Sequence, residues 1–296
     1  MKLSNRLGLP EAFVRAVEND PYDSHGTLSV TRLIRPPQMV RLEEKHKDEI
    51  VEDAADRVWA LLGQAGHSAL ERSNQDGDIV ETRLYIDVSG VTVSGQLDRL
   101  TKDGVLVDWK FTSVYAIKDA LRSGKSEWEQ QLNMLAALIR ENSHLMISPL
   151  ALRIIAVARD WRPSEKLRDQ DYPNKVEVIK IPLWSHEKAM EFIRERVRLH
   201  TSETYPPCSD EERWASQEKW AVMEKGRKKA HRLLDSENEA LEWAVRNKHA
   251  KPGDLYNGQI ILEDGVTIEL RPREYKRCEE YCSVKNFCSQ FKNDRI

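Results

Sequence analysis

The chain has 296 residues, and its 46 basic residues nearly balance its 49 acidic residues, for a formal net charge of −3. This length predicts one large domain or two modest ones, with a sizeable core. The charge balance excludes a protein that is basic overall, although a local patch could still bind nucleic acid.

The sequence has no apolar run of the length that a membrane helix needs. Its start, MKLSNRLGLPEAF, also lacks the charged-then-apolar order of a signal peptide. We therefore expect a cytoplasmic protein with no membrane partner. In that compartment, four cysteines are more often metal ligands or plain thiols than disulfides.

The first elements along the chain are predicted to be an arm and then a long helix. Residues 1–28 are predicted as an arm with one short helical piece, and residues 29–34 as a short ordered segment that two prolines stop. Apolar residues recur at helical spacing over residues 39–73, which predicts one amphipathic helix. Gly63 and Gly66 weaken its end, which suggests a kink or a close approach to a neighbouring element.

The middle of the chain is predicted to form three strands, over residues 78–87, 91–99 and 105–111. The last two flank a Lys-Asp-Gly turn and should pair as an antiparallel hairpin. If that turn is a three-residue loop, the register follows from it. The expected pairs are Thr101 with Val105, Leu97 with Trp109, and Gly95 with Phe111.

The same register places Asp98 directly opposite Asp108. Two carboxylates that face each other across a ladder repel, so they either face water or share a cation. Mg²⁺ and Mn²⁺ prefer carboxylate and carbonyl oxygens, which the two aspartates and the main-chain carbonyl of Trp109 would supply. Lys110, on the same face, could hold a metal-polarised water. An isolated Asp-Trp-Lys is a weak motif, however, and a solvated surface pair is the more common outcome.

Three further residues are candidate neighbours of these acids. His67 follows Gly66 near the end of the predicted helix, where a lone histidine is usually structural. Glu81 could face the site as a further acid, although a solvated strand position is the more common place for a glutamate. Gln131 lies on the buried-side stripe of a helix that opens at Ser126, where its amide needs polar partners. Water at the helix boundary would satisfy that amide equally well.

The remaining core elements are a buried strand over residues 150–158, an edge strand over residues 176–183 and a helix over residues 185–200. With the elements before them, they complete the order αβββαβ. We therefore predict an α/β core over residues 29–205, with a mixed sheet flanked by helices.

A cysteine set marks the predicted C-terminal extension, residues 206–296, which we expect to be mainly helical and to open with a helix capped by Ser209 and Glu212. Its thiols are Cys208, Cys278, Cys282 and Cys288. Four thiols suit a [4Fe-4S] cluster or a tetrahedral zinc ion, and the absence of paired short knuckles favours the cluster. Free structural cysteines remain an alternative.

A densely basic run lies between these thiols. It is either a solvated helix face or a patch that grips phosphates. Its basic residues are Lys225, Arg227, Lys228, Lys229 and Arg232.

Four short motifs follow one another along the predicted core elements. They are Gly63-x-x-x-His67, Gly95-Gln96-Leu97-Asp98, Asp108-Trp109-Lys110 and Gln131-Leu132-Asn133-Met134. Each motif is degenerate alone, but four in order are fairly specific. Together with the element order, they resemble the PD-(D/E)XK nuclease superfamily over residues 29–160. Its RecB-like branch, which includes helicase-linked, CRISPR-associated and many phage-encoded nucleases, is the most similar.

The resemblance implies a restriction-endonuclease-like core and a role for each motif residue. The implied ligands of a catalytic Mg²⁺ or Mn²⁺ are His67, Asp98, Asp108 and the Trp109 carbonyl. Lys110 would activate the attacking water, and Gln131 would orient the site or the DNA backbone. Leu135 departs from the pattern, because many members carry a tyrosine there. Iron-sulfur members also place their remote cysteine before the nuclease motifs, whereas Cys208 follows them.

The resemblance therefore implies a metal-dependent DNA nuclease, an exonuclease more than a site-specific endonuclease, in the cytoplasm of a bacterial or phage-infected cell. Recombination, repair or phage genome metabolism is the expected context, and a recombination or helicase protein is the expected partner. One alternative is a non-catalytic nucleic-acid-binding protein that retains the fold. The other is the same nuclease with structural zinc in place of the cluster.

Overall fold

A computed structural model describes residues 2–19, 28–73, 76–251 and 260–294. The chain divides into two compact units, one of residues 1–207 and one of residues 208–296. Residues 20–27 of the predicted arm lie outside the described residues. Within the described ranges, no helix combines the length and the apolar character needed to cross a bilayer.

The first unit alternates helices and strands along its described residues. In chain order, its elements are β1 (Lys2–Ser4), α1 (Glu11–Glu18), β2 (Leu28–Ser29), α2 (Val30–Ile34), α3 (Pro37–Lys45), β3 (Val51–Asp53), α4 (Val58–Glu71), β4 (Ile79–Val88), β5 (Val91–Leu100), β6 (Val105–Thr112), α5 (Val114–Ser123), α6 (Ser126–Glu141), β7 (Ala151–Ala158), α7 (Pro163–Arg168), β8 (Val176–Ile181) and α8 (His186–Thr201).

A mixed sheet organises the first unit. Among the described residues, it has six strands in the order β2-β5-β6-β7-β8, with β4 paired to β5. The β5–β6 and β7–β8 pairs are antiparallel, whereas β6 and β7 are parallel. The core between sheet and helices includes the fully buried Leu97, Leu132 and Ile154. The predicted α/β class, with a mixed sheet flanked by helices, is confirmed.

The single helix predicted over residues 39–73 is wrong, because β3 separates α3 from α4. β3 pairs in parallel with β1 near the start of the chain. Asp53, at the end of β3, accepts hydrogen bonds from the Arg6 backbone N–H (2.9 Å) and from Ser4 Oγ (2.7 Å), and these bonds hold its pKa well below the usual range. Helical periodicity carries no information about such a distant partner, so the break was not predictable from it.

The hairpin has the predicted turn. The Thr101 N–H donates to the Val105 carbonyl at 3.0 Å, and Gly104 takes a φ of +78° that glycine adopts without strain. The β5–β6 ladder then continues through the pairs Leu100–Leu106 and Arg99–Val107, in the predicted register.

Beyond Arg99–Val107, β5 and β6 separate, and the predicted pairs Leu97–Trp109 and Gly95–Phe111 do not form among the described residues. The Trp109 N–H donates instead to Asp98 Oδ2 at 2.7 Å, so a side chain takes a donor that the ladder would have used. β6 pairs with β7 along its whole length.

The second unit is not mainly helical, contrary to prediction. Its described strands and α-helices are β9 (Lys219–Glu224), β10 (Arg232–Leu234), α9 (Glu237–Arg246), β11 (Ala250–Lys251), β12 (Ile261–Leu262), β13 (Val266–Arg271) and α10 (Ser289–Asn293). β9 is the central strand of a three-stranded antiparallel sheet in the described chain, and α9 packs its buried Ala240 against that sheet.

The predicted cap at the start of this unit forms without its helix. The Ser209 N–H donates to Glu212 Oε2 (2.9 Å), and the Glu212 N–H donates to Ser209 Oγ (3.1 Å). The chain then reverses at Trp214, whose φ is +53°. The capping box thus stabilises a single turn, because the left-handed residue ends the helical path.

Candidate functional site

A cleft of about 390 Å³ in the first unit brings together side chains from α4, β4, β5, β6 and α6. Its polar lining includes each of the side chains that the motifs predicted. These are His67, Asp98, Asp108, Lys110 and Gln131, and Glu81 lies among them. Residues far apart in sequence therefore meet at one place.

Gly66 allows α4 to approach β6 and so places His67 in the cleft. A Cβ at Gly66 would lie 2.2 Å from the Phe111 ring, closer than carbon atoms pack. Gly63, one turn earlier, has open space around it and lines the cleft. The close approach that the glycines suggested is confirmed at Gly66 and absent at Gly63.

His67, Glu81 and Asp98 form the tightest polar group in the cleft. One ligand atom from each residue lies within 4.8 Å of the other two. His67 Nδ1 is 3.5 Å from Asp98 Oδ1 and 3.7 Å from Glu81 Oε1, which is too long for hydrogen bonds. This buried nitrogen has no hydrogen-bond partner among the described residues. Ligands of a cation bound at about 2.1 Å lie about 3 to 4 Å apart, so the group fits a divalent ion.

The charges of this group are mutually dependent. Burial raises the pKa of Asp98 to about 7, and the negative charge of Asp108 adds to the effect. Contact with Glu81 and the charges of the two aspartates raise the pKa of His67. Burial opposes ionisation of Glu81, but its contacts with His67 and Gln96 outweigh it and lower its pKa. The carboxylates thus need a nearby positive charge, which His67 or a metal ion supplies.

Asp108, Lys110 and Gln131 form a second group beside the first. Gln131 Nε2 donates to Asp108 Oδ1 (2.8 Å), and Lys110 Nζ donates to Gln131 Oε1 (2.9 Å). Lys110 Nζ also lies 2.7 Å from Asp108 Oδ2 as an ion pair. The Gln131 amide is therefore satisfied by protein, not by water at a helix boundary.

The structure divides the ligand set that the resemblance implied. His67 and Asp98 are together, but Asp108 lies outside the close group and is held by Lys110 and Gln131. Trp109 contacts Asp98 through its N–H. The metal contact predicted for the Trp109 carbonyl stays a prediction.

Glu81 is the site residue whose role the sequence reasoning underestimated. It lies across from Asp98 in the antiparallel β4–β5 pair, and its φ of +43° is unusual for a residue other than glycine. One signal was available, because the two-residue turn of Ser89 and Gly90 sets the β4–β5 register. Counting back from that turn puts Glu81 opposite Asp98.

The four cysteines lie in the second unit, and none of them forms a disulfide in the described chain. Burial raises the pKa of Cys208 to about 12, and the charges of Glu212 and of the other three thiols contribute, so the cysteines are neighbours. No three of their sulfur atoms lie within 4.8 Å of one another in the described chain. Tetrahedral zinc, with bonds of about 2.3 Å, needs sulfurs about 3.8 Å apart. The described chain thus shows no group of three sulfurs close enough for one tetrahedral zinc ion.

Gln290 brings the remote cysteine to the C-terminal set. The Cys208 N–H donates to Gln290 Oε1 (3.0 Å), and Gln290 Nε2 donates to the Cys208 carbonyl (2.9 Å). Arg213, which is buried, pairs with Asp294 and contacts Cys278. Neither Gln290 nor Arg213 was singled out by sequence reasoning, since both roles depend on contacts with distant residues.

The predicted basic patch does not form a helix face. Lys225, Arg227, Lys228 and Lys229 lie in the connection between β9 and β10, Arg232 is the first residue of β10, and all five side chains are exposed. The two strands pair with each other, and this pairing makes the run a hairpin loop. Phosphate binding by this loop stays a prediction.

Comparison with known proteins adds little to this description. No protein-family model matches the sequence, and no curated protein matches it either. One similar solved structure is described as "Crystal structure of SSO0001", with 18% sequence identity and a TM-score of 0.42. The similarity covers 66% of this chain and 88% of that chain. A likeness of this size carries no functional inference.

Proposed function

We propose that the chain is a metal-dependent DNA nuclease that hydrolyses phosphodiester bonds, and that it belongs to the RecB-like branch of the PD-(D/E)XK superfamily. The observation that supports this most is the group of His67, Glu81 and Asp98, whose ligand atoms lie within 4.8 Å of one another. The buried Nδ1 of His67 makes no hydrogen bond in the described chain, as expected of a nitrogen whose partner is a bound metal ion.

In this proposal, His67, Glu81 and Asp98 would hold Mg²⁺ or Mn²⁺. When bound, the metal would polarise a water molecule and the scissile phosphate. Lys110 keeps its ammonium in the cleft through Gln131 and the Asp108 carboxylate. That fixed positive charge would stabilise the negative charge that develops on the phosphate oxygens. The inferred contacts are to phosphates, so sequence preference should be weak.

We further propose that Cys208, Cys278, Cys282 and Cys288 bind a structural [4Fe-4S] cluster. The four thiols are neighbours, and no three of their sulfurs in the described chain are close enough for one zinc ion, which supports this assignment. The proposed setting is DNA recombination, repair or phage genome metabolism in the cytoplasm, with a recombination or helicase protein as partner.

The test is digestion of labelled DNA with Mg²⁺ or Mn²⁺. The variants Asp98→Asn and Lys110→Ala should lose the DNA-cutting activity that the wild type shows. Lys102→Ala, the same change at an exposed position in the hairpin turn, should cut normally. Equal cutting by all four proteins would refute the catalytic proposal. Binding of DNA without cutting by the wild type would favour the non-catalytic alternative.

A further inference from the structure

Arg83 is a cation in the same cleft that the proposed mechanism does not use. It lies on β4 and pairs in register with Gln96 on β5. Its Nη1 donates to Ser94 Oγ at 3.4 Å, and its Nη2 donates to Gln96 Oε1 at 3.1 Å. Both acceptors are neutral. Over the described residues, no carboxylate lies within ion-pair distance of this guanidinium.

Gln96, on β5, lies between Arg83 and Glu81, which is the nearest acid on β4. Its amide oxygen accepts from Arg83, and its Nε2 donates to Glu81 Oε2 at 2.7 Å. Residues two apart on a strand lie on the same face, where a guanidinium can pair with a carboxylate in a bidentate way. In the described chain the Gln96 amide contacts both side chains instead, and Arg83 forms no ion pair with Glu81. The guanidinium also keeps N–H donors beyond the two that are engaged.

Two positions along the β4–β5 pair are separated by about the distance between successive phosphates of a nucleic-acid strand. Glu81 and Asp98 occupy opposite positions between the pairs Val80–Arg99 and Thr82–Leu97, and Arg83 and Gln96 pair two residues further along. Two residues of a strand span about 7 Å. Successive phosphates along a nucleic-acid strand are separated by a comparable distance. A nucleic-acid strand with one phosphate beside Glu81 and Asp98 therefore has its next phosphate beside Arg83.

We propose that Arg83 binds the phosphate adjacent to the scissile one and so positions the substrate strand. The ligand is a phosphodiester of the nucleic-acid backbone, held by the unused N–H donors of the guanidinium. This inference rests on the proposed nuclease function. Arg83 is a positioning residue in this scheme, because it contacts the substrate away from the bond that is cut.

The experiment measures binding of a labelled single-stranded oligonucleotide in Ca²⁺ over a series of salt concentrations. Each phosphate contact contributes about 0.7 to the slope of log K against log salt for a single strand. Arg83→Gln should lower the slope by about that amount and weaken binding on the order of tenfold. Arg83→Lys should keep the slope, because the charge remains, but bind less tightly without the planar fork. Arg122→Gln, at an exposed position on α5, should match the wild type.

A Mn²⁺ titration of the same variants separates this role from a purely structural one. Glu81 keeps its contact with Gln96 in Arg83→Gln, so the Mn²⁺ affinity should equal that of the wild type. A lower Mn²⁺ affinity with an unchanged salt slope would overturn the inference, since Arg83 would then only support Glu81. An unchanged slope while the wild type cuts DNA would overturn the inference alone. A wild type that neither binds nor cuts DNA would overturn the proposed function.

Discussion

Replacing Gly66 by alanine tests how α4 positions His67. The added Cβ would lie 2.2 Å from Cζ and 2.3 Å from Cε2 of the Phe111 ring. Carbon atoms in contact are about 3.5 to 4.0 Å apart, so the helix and the ring must separate by more than about 1 Å. His67 follows Gly66 directly, and such a shift therefore moves the imidazole away from the carboxylates of Glu81 and Asp98.

Two opposing contributions determine the change in stability. Overpacking costs about 1 to 3 kcal/mol, whereas alanine stabilises a helix interior by up to about 1 kcal/mol relative to glycine. Gly63, on the same helix, has open space around it, so Gly63→Ala gains only the second contribution. The free energy of unfolding of Gly66→Ala should therefore be lower than that of Gly63→Ala by about 1 to 3 kcal/mol.

Urea unfolding measures this difference, and a Mn²⁺ titration measures its effect on the candidate site. Gly66→Ala should weaken Mn²⁺ binding roughly tenfold or more, as changes around metal ligands commonly do. Gly63→Ala should bind like the wild type. Trimming the ring in Gly66→Ala/Phe111→Leu should restore Mn²⁺ binding. Equal stability and equal affinity of the two alanine variants would refute the role assigned to the close approach.

Three further predictions concern the acids, a buried histidine and the thiols. Glu81→Gln should weaken Mn²⁺ binding at least roughly tenfold in calorimetry, because a ligand charge is lost, whereas Asp103→Asn at the exposed turn should not. Burial lowers the pKa of His200 to about 4, so only the unfolded chain takes up this proton between about pH 6.5 and pH 4. The free energy of unfolding of the wild type should therefore decrease as the pH is lowered through that range. In urea unfolding, His200→Gln should show a smaller decrease. Cys288→Ser, made in anaerobically purified protein, should lose a brown colour that the wild type shows.

Each of these predictions has an outcome that contradicts it. Identical Mn²⁺ binding by Glu81→Gln and wild type would remove Glu81 from the metal group. The same pH slope in wild type and His200→Gln would assign the loss of stability to other groups. A colourless wild type with one bound zinc per chain would replace the cluster by the zinc alternative.

The parts of the fold that sequence predicted correctly depend on local pattern. The three-residue turn and the alternation on either side of it set the β5–β6 register, and the pair Arg99–Val107 has that register. The failures depend on distant partners. Residues 51–53 have helical periodicity around them, yet they pair with β1. The Asp53 carboxylate supports that pairing, because it accepts hydrogen bonds from residues 4 and 6. A pattern within one window cannot contain that partner.

The candidate site divides in the same way. Asp98, Asp108 and Lys110 could be grouped from parity along two strands, since side chains alternate between faces. The division of that group could not be predicted, because Asp108 is held by Gln131 from a helix that lies elsewhere in the sequence. Glu81 resembles any strand glutamate until its opposite neighbour is known. Position in a sheet, more than residue type, distinguishes it from a solvated acid.

The separation of β5 from β6 explains why the cleft exists. Asp98 takes the Trp109 N–H at the point where the ladder ends, and cleft-lining residues such as Gln96 and Lys110 lie beyond that point. One carboxylate thus holds the strands apart and also faces the proposed ion. Asp98→Asn keeps an oxygen that can accept this N–H, so it should lose the charge and preserve the cleft. Asp98→Ala removes both the charge and the oxygen that accepts the Trp109 N–H. The β5–β6 ladder should then extend into the space that the substrate needs.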